Sequence, residues 1–213
     1  MGEAVAVELR VRQDREQVIA GIASALRERQ GATAQEYWVY AHRVLADRRQ
    51  RPRDDLMSIL AHAEIEGDRL SDEEILQEGL LILIGGDETT RHVMTGGLLA
   101  LIENPGEKRV LVRDPRRIPG AVEEMLRWVS PIQNMNRTLV RGSVLRGQRL
   151  REGDRVLLLY PSGNRDAAVF PDPDRFDVER EPNRHVAFGG FGTHHSLGAA
   201  LRRLPLRRLF GEL

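Results

Sequence analysis

Between Ser71 and Pro105 the chain reads as one helix of about thirty residues. A helix that long dictates a mainly helical fold for the chain around it. Ser71-Asp72-Glu73-Glu74 has the S-x-x-E form in which a serine and a glutamate cap each other's backbone N–H groups, and Asn104-Pro105 supplies the stop. The interior is unusual. Gly85-Gly86 precedes the polar run Asp87-Glu88-Thr89-Thr90, and two adjacent glycines cost a helix roughly 1–2 kcal/mol relative to alanine. Three readings stay open: a neighbour lying flat on the backbone, a local bulge, or a kink between two shorter helices.

Shorter helices are predicted on either side. Val18, Ile19, Ile22 and Leu26 share one helical face, with Gly31 as a stop. Ala34 to Gln50 is a second helix, with Tyr37, Tyr40, Ala41, Val44 and Leu45 on its apolar side. After Pro52, Asp54-Asp55 place negative charge at the start of a third helix, Leu56 to Ile65, closed by Gly67. Gly106 to Arg113 and Ile118 to Val129 follow, the latter stopped by Ser130-Pro131. Then the pattern changes. Arg137 to Arg141, Ser143 to Arg146 and Arg155 to Tyr160 are short runs between glycines, as in a small antiparallel sheet. Pro161 to Arg184 is rich in Pro, Asp, Asn and Arg and reads as irregular but packed. Ala199 to Leu213 is a last helix interrupted by Pro205. The expected fold class is mainly α with a minor antiparallel β-sheet, in one compact unit.

Composition narrows the chemistry. Thirty-two basic residues balance thirty-two acidic ones, so no global field points to nucleic acid or an anionic membrane. The local run Arg48-Arg49-Gln50-Arg51-Pro52-Arg53 reads as a solvated helix end. Met1 to Arg10 has no apolar core of a signal peptide, and the longest apolar run, Leu80 to Ile84, is too short to span a bilayer. A cytoplasmic location without a membrane span is expected. The chain has no cysteine, which removes disulfides and thiolate metal sites together.

Glu124 and Arg127 stand three residues apart on one helical face, so both can address the same third element. Alone, such a pair is usually a solvated surface pair. Its company is what counts: Gly85-Gly86-Asp87-Glu88-Thr89-Thr90 upstream, then Phe170-Pro171-Asp172-Pro173-Asp174-Arg175-Phe176, then Phe188 to Gly198. In this order the motifs resemble the cytochrome P450 family, over residues 34–213 and in the C-terminal half of its fold, with 1–33 a weaker helical lead-in. Ile84 to His92, with Pro131-Ile132-Gln133-Asn134-Met135-Asn136-Arg137, is similar to the actinobacterial steroid C26-monooxygenases.

The resemblance implies a heme b cofactor. It implies that Glu88 and Thr89 relay protons to iron-bound dioxygen, although Thr89 can equally be a helix hydroxyl bonded to the preceding turn. It assigns Glu124, Arg127 and Arg175 to a buried structural cluster, and Arg137 and His185 to the heme propionates. Phe188, Gly192, Ser196 and Gly198 fall in the cofactor-binding loop, with Ser196 at the position of the iron ligand. The implied reaction is hydroxylation of a sterol or cholestenone side chain, with electrons from a ferredoxin and its reductase.

Two departures stand against that reaction. Ser196 occupies the place of the ligating cysteine, and a hydroxyl lacks a thiol's acidity. One residue more than the family spacing separates Phe188 from Ser196, most simply an added glycine at Gly189-Gly190. The alternative is therefore a truncated, inactive relative with a binding or interaction role, or none. His194 and His195 are chemically able to bind iron, and a serine-hydrolase elbow is not formed, because His194 replaces its first glycine.

Overall fold

In the computed structural model, residues 35–190, 192 and 195–213 are described, so the helix on Val18 to Leu26 and its stop at Gly31 lie outside the described residues. The described chain forms two compact units, 35–85 and 86–213.

The first unit begins with α1, described over 35–50. Ala41 and Leu45 of α1 are buried against Ala61, Ile75 and Leu76. Tyr37 sits at the margin, its hydroxyl donating to the Leu76 carbonyl at 3.1 Å. Tyr40, expected on the apolar side, is exposed instead, with the Arg43 guanidinium 5.7 Å from its ring. Asp55 caps α2 (Leu56–His62), accepting from the Ser58 N–H at 2.9 Å. This helix is shorter than expected. Glu64–Ile65 and Asp68–Arg69 pair as strands β1 and β2, and Glu66 and Gly67 both take positive φ, 55° and 88°. Gly67 thus serves a two-residue hairpin turn rather than a helix end.

Helix α3 spans Asp72–Glu103. Its start is the reciprocal cap: the Glu74 N–H donates to Ser71 Oγ at 3.3 Å, and the Ser71 N–H to Glu74 Oε2 at 2.9 Å. A Cβ built at Gly86 would meet nothing within 4 Å. The close approach lies ten residues on. A Cβ at Gly97 would stand 2.9 Å from Met125 Sδ and 3.2 Å from Phe210 Cζ, and one at Gly96 would stand 2.8 Å from Val129 Cγ2. Those two glycines let α3 lie close against α5 (Ile118–Val129) and α7 (Ala199–Glu212).

Around that contact the second unit builds its core. Ala121, Val122, Met125 and Leu126 of α5 pack with Val93, Ala100 and Leu101 of α3 and with Leu206 and Phe210 of α7. Leu111 from α4 (Pro105–Arg113) joins them, as do Phe176, Val178 and Phe188 from the loops. Helix α7 is continuous through Pro205, not interrupted by it. The proline forfeits one intrahelical bond, and burial of Leu206 and Phe210 on either side of the next turn holds the helix together.

The strands after α5 form two separate two-stranded pairs rather than the one small sheet expected. Strand β3 (Asn134–Thr138) pairs antiparallel with β6 (Arg155–Leu159), from Asn134 opposite Leu159 to Thr138 opposite Arg155. Strands β4 (Ser143–Leu145) and β5 (Gln148–Leu150) form a separate hairpin about Arg146 and Gly147, both at positive φ. The first strand starts three residues before the expected Arg137, because its apolar partner strand, not its own polar sequence, sets the register. The short helix α6 (Tyr160–Gly163) then leads into the irregular segment up to α7.

Candidate active site

Helix α5 carries the centre of the site. Glu124 and Arg127 are completely buried, and their side chains meet in a two-pronged pair at 2.7 Å and 2.7 Å. A guanidinium has five N–H donors, and all five are used. Besides the two on Glu124, Arg127 donates to the carbonyls of Asn164 at 2.7 Å, Pro173 at 2.9 Å and Arg175 at 3.0 Å. The carboxylate is equally full. It accepts from the Asp177 N–H at 2.9 Å, from Asn183 Nδ2 at 3.0 Å and from Arg180 Nε at 3.2 Å. The guanidinium also faces the rings of Phe170 at 5.3 Å and Trp128 at 5.7 Å. A buried pair is stabilising only when its remaining donors and acceptors are matched, and here they are.

The third guanidinium is not the expected one. Arg175 joins through its carbonyl, while its side chain is largely exposed and reaches Glu107 at only 3.8 Å. The buried Phe176 takes the inward direction, so its neighbour's side chain is turned out. Arg180 fills the place. Its side chain is 6% exposed, and it donates to the carbonyls of Pro171, Asp172 and Arg175 as well as to Glu124. Nothing in the motif Phe170 to Phe176 marks Arg180, which lies four residues beyond it.

A polar relay ties this cluster to the loop beyond. Ser130, left-handed at φ 44°, closes α5; its hydroxyl donates to the Arg127 carbonyl at 2.8 Å and accepts from Asn164 Nδ2 at 2.8 Å. Asn164 Oδ1 in turn accepts from the Val186 N–H at 2.7 Å. Both residues are fully buried, and sequence reading missed them.

His185 follows, buried, with both ring nitrogens engaged. The Ala187 N–H donates to Nδ1 at 3.2 Å, which makes Nδ1 the acceptor and puts the ring proton on Nε2. That N–H points at Glu123 Oε2, 3.1 Å away. Glu123 also takes a two-pronged pair from Arg203 of α7, at 2.7 Å and 2.7 Å. Burial alone would raise the Glu123 carboxyl, but the His185 N–H and the Arg203 guanidinium outweigh it and hold it down to about 2. Arg203 completes the arrangement by lying 4.6 Å over the Phe188 ring.

The loop itself is closed by the Ser196 N–H on the Phe188 carbonyl at 2.9 Å. Gly189 is left-handed at φ 87°, Gly192 is exposed, and Gly198 leads directly into α7. Ser196 is half-buried and the next residue, Leu197, is 99% exposed. His195 packs its ring edge against Phe188 at 6.1 Å, with Nδ1 3.4 Å from the Gly190 carbonyl. His194 lies outside the described residues.

On α3, Glu88 is half-exposed and paired with Arg91 one turn on; His92 stands 3.6 Å away. The Arg91 hydrogen bond holds the Glu88 carboxyl below its ordinary value. Thr89, beside it, is half-buried. Arg137, on β3, donates to the Asn136 carbonyl at 2.9 Å. The structure therefore brings Glu124 and Arg127 together with Arg180, and His185 and Phe188 together with Glu123 and Arg203. Glu88 makes its ion pairs within its own helix.

The profile of the family described as Cytochrome P450 matches residues 13–113 and 118–194, ending two residues before Ser196. The chain belongs to the cytochrome P450 family. It is 52% identical over 171 residues to the steroid C26-monooxygenase of Mycolicibacterium smegmatis, covering 80% of this chain and 42% of that protein. It is 45% identical over 175 residues to a methyl-branched lipid omega-hydroxylase of Mycobacterium tuberculosis, covering 82% of this chain and 41% of that one. Among solved structures, substrate-free CYP109E1 from Bacillus megaterium superposes with a TM-score of 0.82 at 33% identity, covering 93% of this chain and 54% of the other. The chain thus spans less than half the length of these curated P450 relatives, and its described part has the partial P450 fold.

Members of the family hold heme by a cysteine thiolate, and the residues present here do not fit that group. There is no thiol in the chain. The hydroxyl at Ser196 is not a charged donor at neutral pH. Both ring nitrogens of His185 are engaged within the chain, Nε2 with Glu123 and Nδ1 with the Ala187 N–H. Among the described residues, no group of three or more His, Cys, Asp or Glu side chains is placed to hold a metal ion.

Proposed function

We propose that this P450 descends from the steroid side-chain oxidisers and has lost their oxygen chemistry, keeping the folded proximal scaffold as a binding or interaction body. The observation that carries this reading is Ser196 at the ligand position in a chain without cysteine. Splitting the O–O bond in this family depends on electron donation by the thiolate, which a serine hydroxyl does not supply. Glu88, held ionised by Arg91, is also a poor proton donor for such a step. A sterol-like molecule is the ligand class that kinship favours, and ferredoxin with its reductase is the electron source that an active relative would use. No helix among the described residues is long and apolar enough to cross a membrane, and a cytoplasmic placement belongs to the same proposal.

The test is spectroscopic. Purified protein supplied with heme, reduced and exposed to carbon monoxide, is expected to lack the red-shifted Soret band of a thiolate-ligated complex. With cholestenone, ferredoxin and reductase it is expected to give no hydroxylated product. The competing reading, a working side-chain monooxygenase, rests on the 52% identity to a steroid C26-monooxygenase. It requires the opposite result on both counts, and either the band or the product would overturn our proposal.

A further inference from the structure

The start of the loop at His185 and the helix after it at Arg203 are tied together by an anion that the protein itself provides. Glu123, on the turn of α5 adjoining the buried cluster, receives the imidazole N–H of His185 at 3.1 Å and two guanidinium N–H groups of Arg203 at 2.7 Å each. A third cation, Arg207, stands 3.9 Å away. Three elements meet at this carboxylate: helix α5, the start of the loop, and helix α7 just after it. Arg203 also covers the Phe188 ring, so the same side chain clamps the loop by charge and by contact. Remove the carboxylate, and a half-buried guanidinium and a buried imidazole N–H lose their acceptor together.

We propose that Glu123 is the internal counter-anion of this loop, and that it orders the loop without any external carboxylate such as a heme propionate. The proposal rests on the reading that no thiolate-held heme organises the segment. The two fail separately: the carbon monoxide spectrum tests the ligand, and hydrogen exchange tests the clamp.

The amides to follow are those of Ala187, Gly189 and Ser196, which are bonded to His185 Nδ1, the Val186 carbonyl and the Phe188 carbonyl. The amide of Asp177, bonded to Glu124, reports on the cluster as a control. In full-length protein from heme-limited cells, all four are expected to be protected. In Glu123→Ala, protection of the first three should fall by about tenfold or more, the scale of losing a charge-assisted partner, while Asp177 stays protected. Millimolar sodium propionate should restore that protection, and sodium chloride at equal ionic strength should not. Loop amides exchanging at unfolded rates in heme-free wild type would overturn the proposal. So would an unchanged loop in Glu123→Ala, or rescue by chloride equal to that by propionate. If Glu123→Ala loses protection at Asp177 as well, Glu123→Gln decides. The amide keeps an acceptor for His185 but not the charge for Arg203, so a loss confined to the loop supports the clamp and no loss refutes it.

Discussion

The Glu124–Arg127 cluster and the Phe188–Ser196 loop are joined through Asn164 and Val186, yet they differ in what their residues can still do. In the cluster, five guanidinium donors and both carboxylate oxygens have partners inside a fully buried site. In the loop, the backbone is closed and Phe188 is packed, but the ligand position carries a hydroxyl. A buried charge network fails as a whole when one member is lost, so its residues are held by folding itself. A metal ligand at a half-buried loop position contributes nothing to folding once the metal is gone, so its replacement leaves the scaffold standing.

The largest expected effect tests the first half of that contrast. Arg127→Ala leaves Glu124 buried without its two-pronged partner and strands three carbonyls. The expected loss is on the order of 3–5 kcal/mol of unfolding free energy, read from urea denaturation. A loss under about 1 kcal/mol, the range of a surface pair, would mean that the cluster is no keystone of the fold.

Acid tests the boundary between the two regions, at Glu123. Its folded carboxyl is held at about 2, below the ordinary 4.5. A depressed carboxyl stabilises the fold above its unfolded value, and the benefit is lost as pH falls from about 4.5 towards 2. Wild type should therefore exceed Glu123→Gln in stability at pH 6 by at most about 3 kcal/mol. The gap should close in the acid range, as seen by thermal melts at stepped pH. A gap that is constant down to pH 2.5 would assign the effect to shape rather than charge.

A smaller difference separates two arginines. Arg180→Ala removes a buried donor from Glu124 and three carbonyls, with an expected cost of about 1–3 kcal/mol. Arg175→Ala keeps the carbonyl that Arg127 uses, and it should stay within about 0.5 kcal/mol of wild type. Equal losses for the pair would restore Arg175 to the cluster.

Much of this architecture is legible in the amino-acid sequence. The cap at Ser71, the bounds of α5 and the pairing of Glu124 with Arg127 follow from local rules, where spacing and residue type decide the outcome. Three things are not. Arg180 and Arg175 look alike in sequence, and only the path of the turn decides which side chain points in. Gly96-Gly97 is the pair that meets Met125 and Val129, whereas Gly85-Gly86 looks more telling because polar residues follow it. Glu123 adjoins a stronger motif residue and pairs with Arg203, eighty positions away, across a contact that no local rule reaches.

The smallest expected change in stability belongs to Ser196→Cys, and it bears most directly on the loop. Oxygen and sulfur differ little in size at a half-buried position, so the melting temperature should move by no more than a degree or two, within the range of about 0.5 kcal/mol for such sites. The spectrum decides more. A thiolate binds iron only when the loop aims it, and metal–ligand distances tolerate errors of roughly 0.2 Å. One residue more than the family spacing separates Phe188 from this position, so the aim of the side chain is expected to differ. Ser196→Cys alone is therefore expected to take up heme weakly at most, without the red-shifted carbon monoxide band. Deleting Gly190 in the same variant restores the family spacing, and if the loop path is what fails, that variant should gain thiolate character that the single change lacks. A full thiolate band and hydroxylated cholestenone from Ser196→Cys alone would show that the loop differs from an active one by a single atom, and the contrast with the Glu124–Arg127 cluster would shrink to that atom.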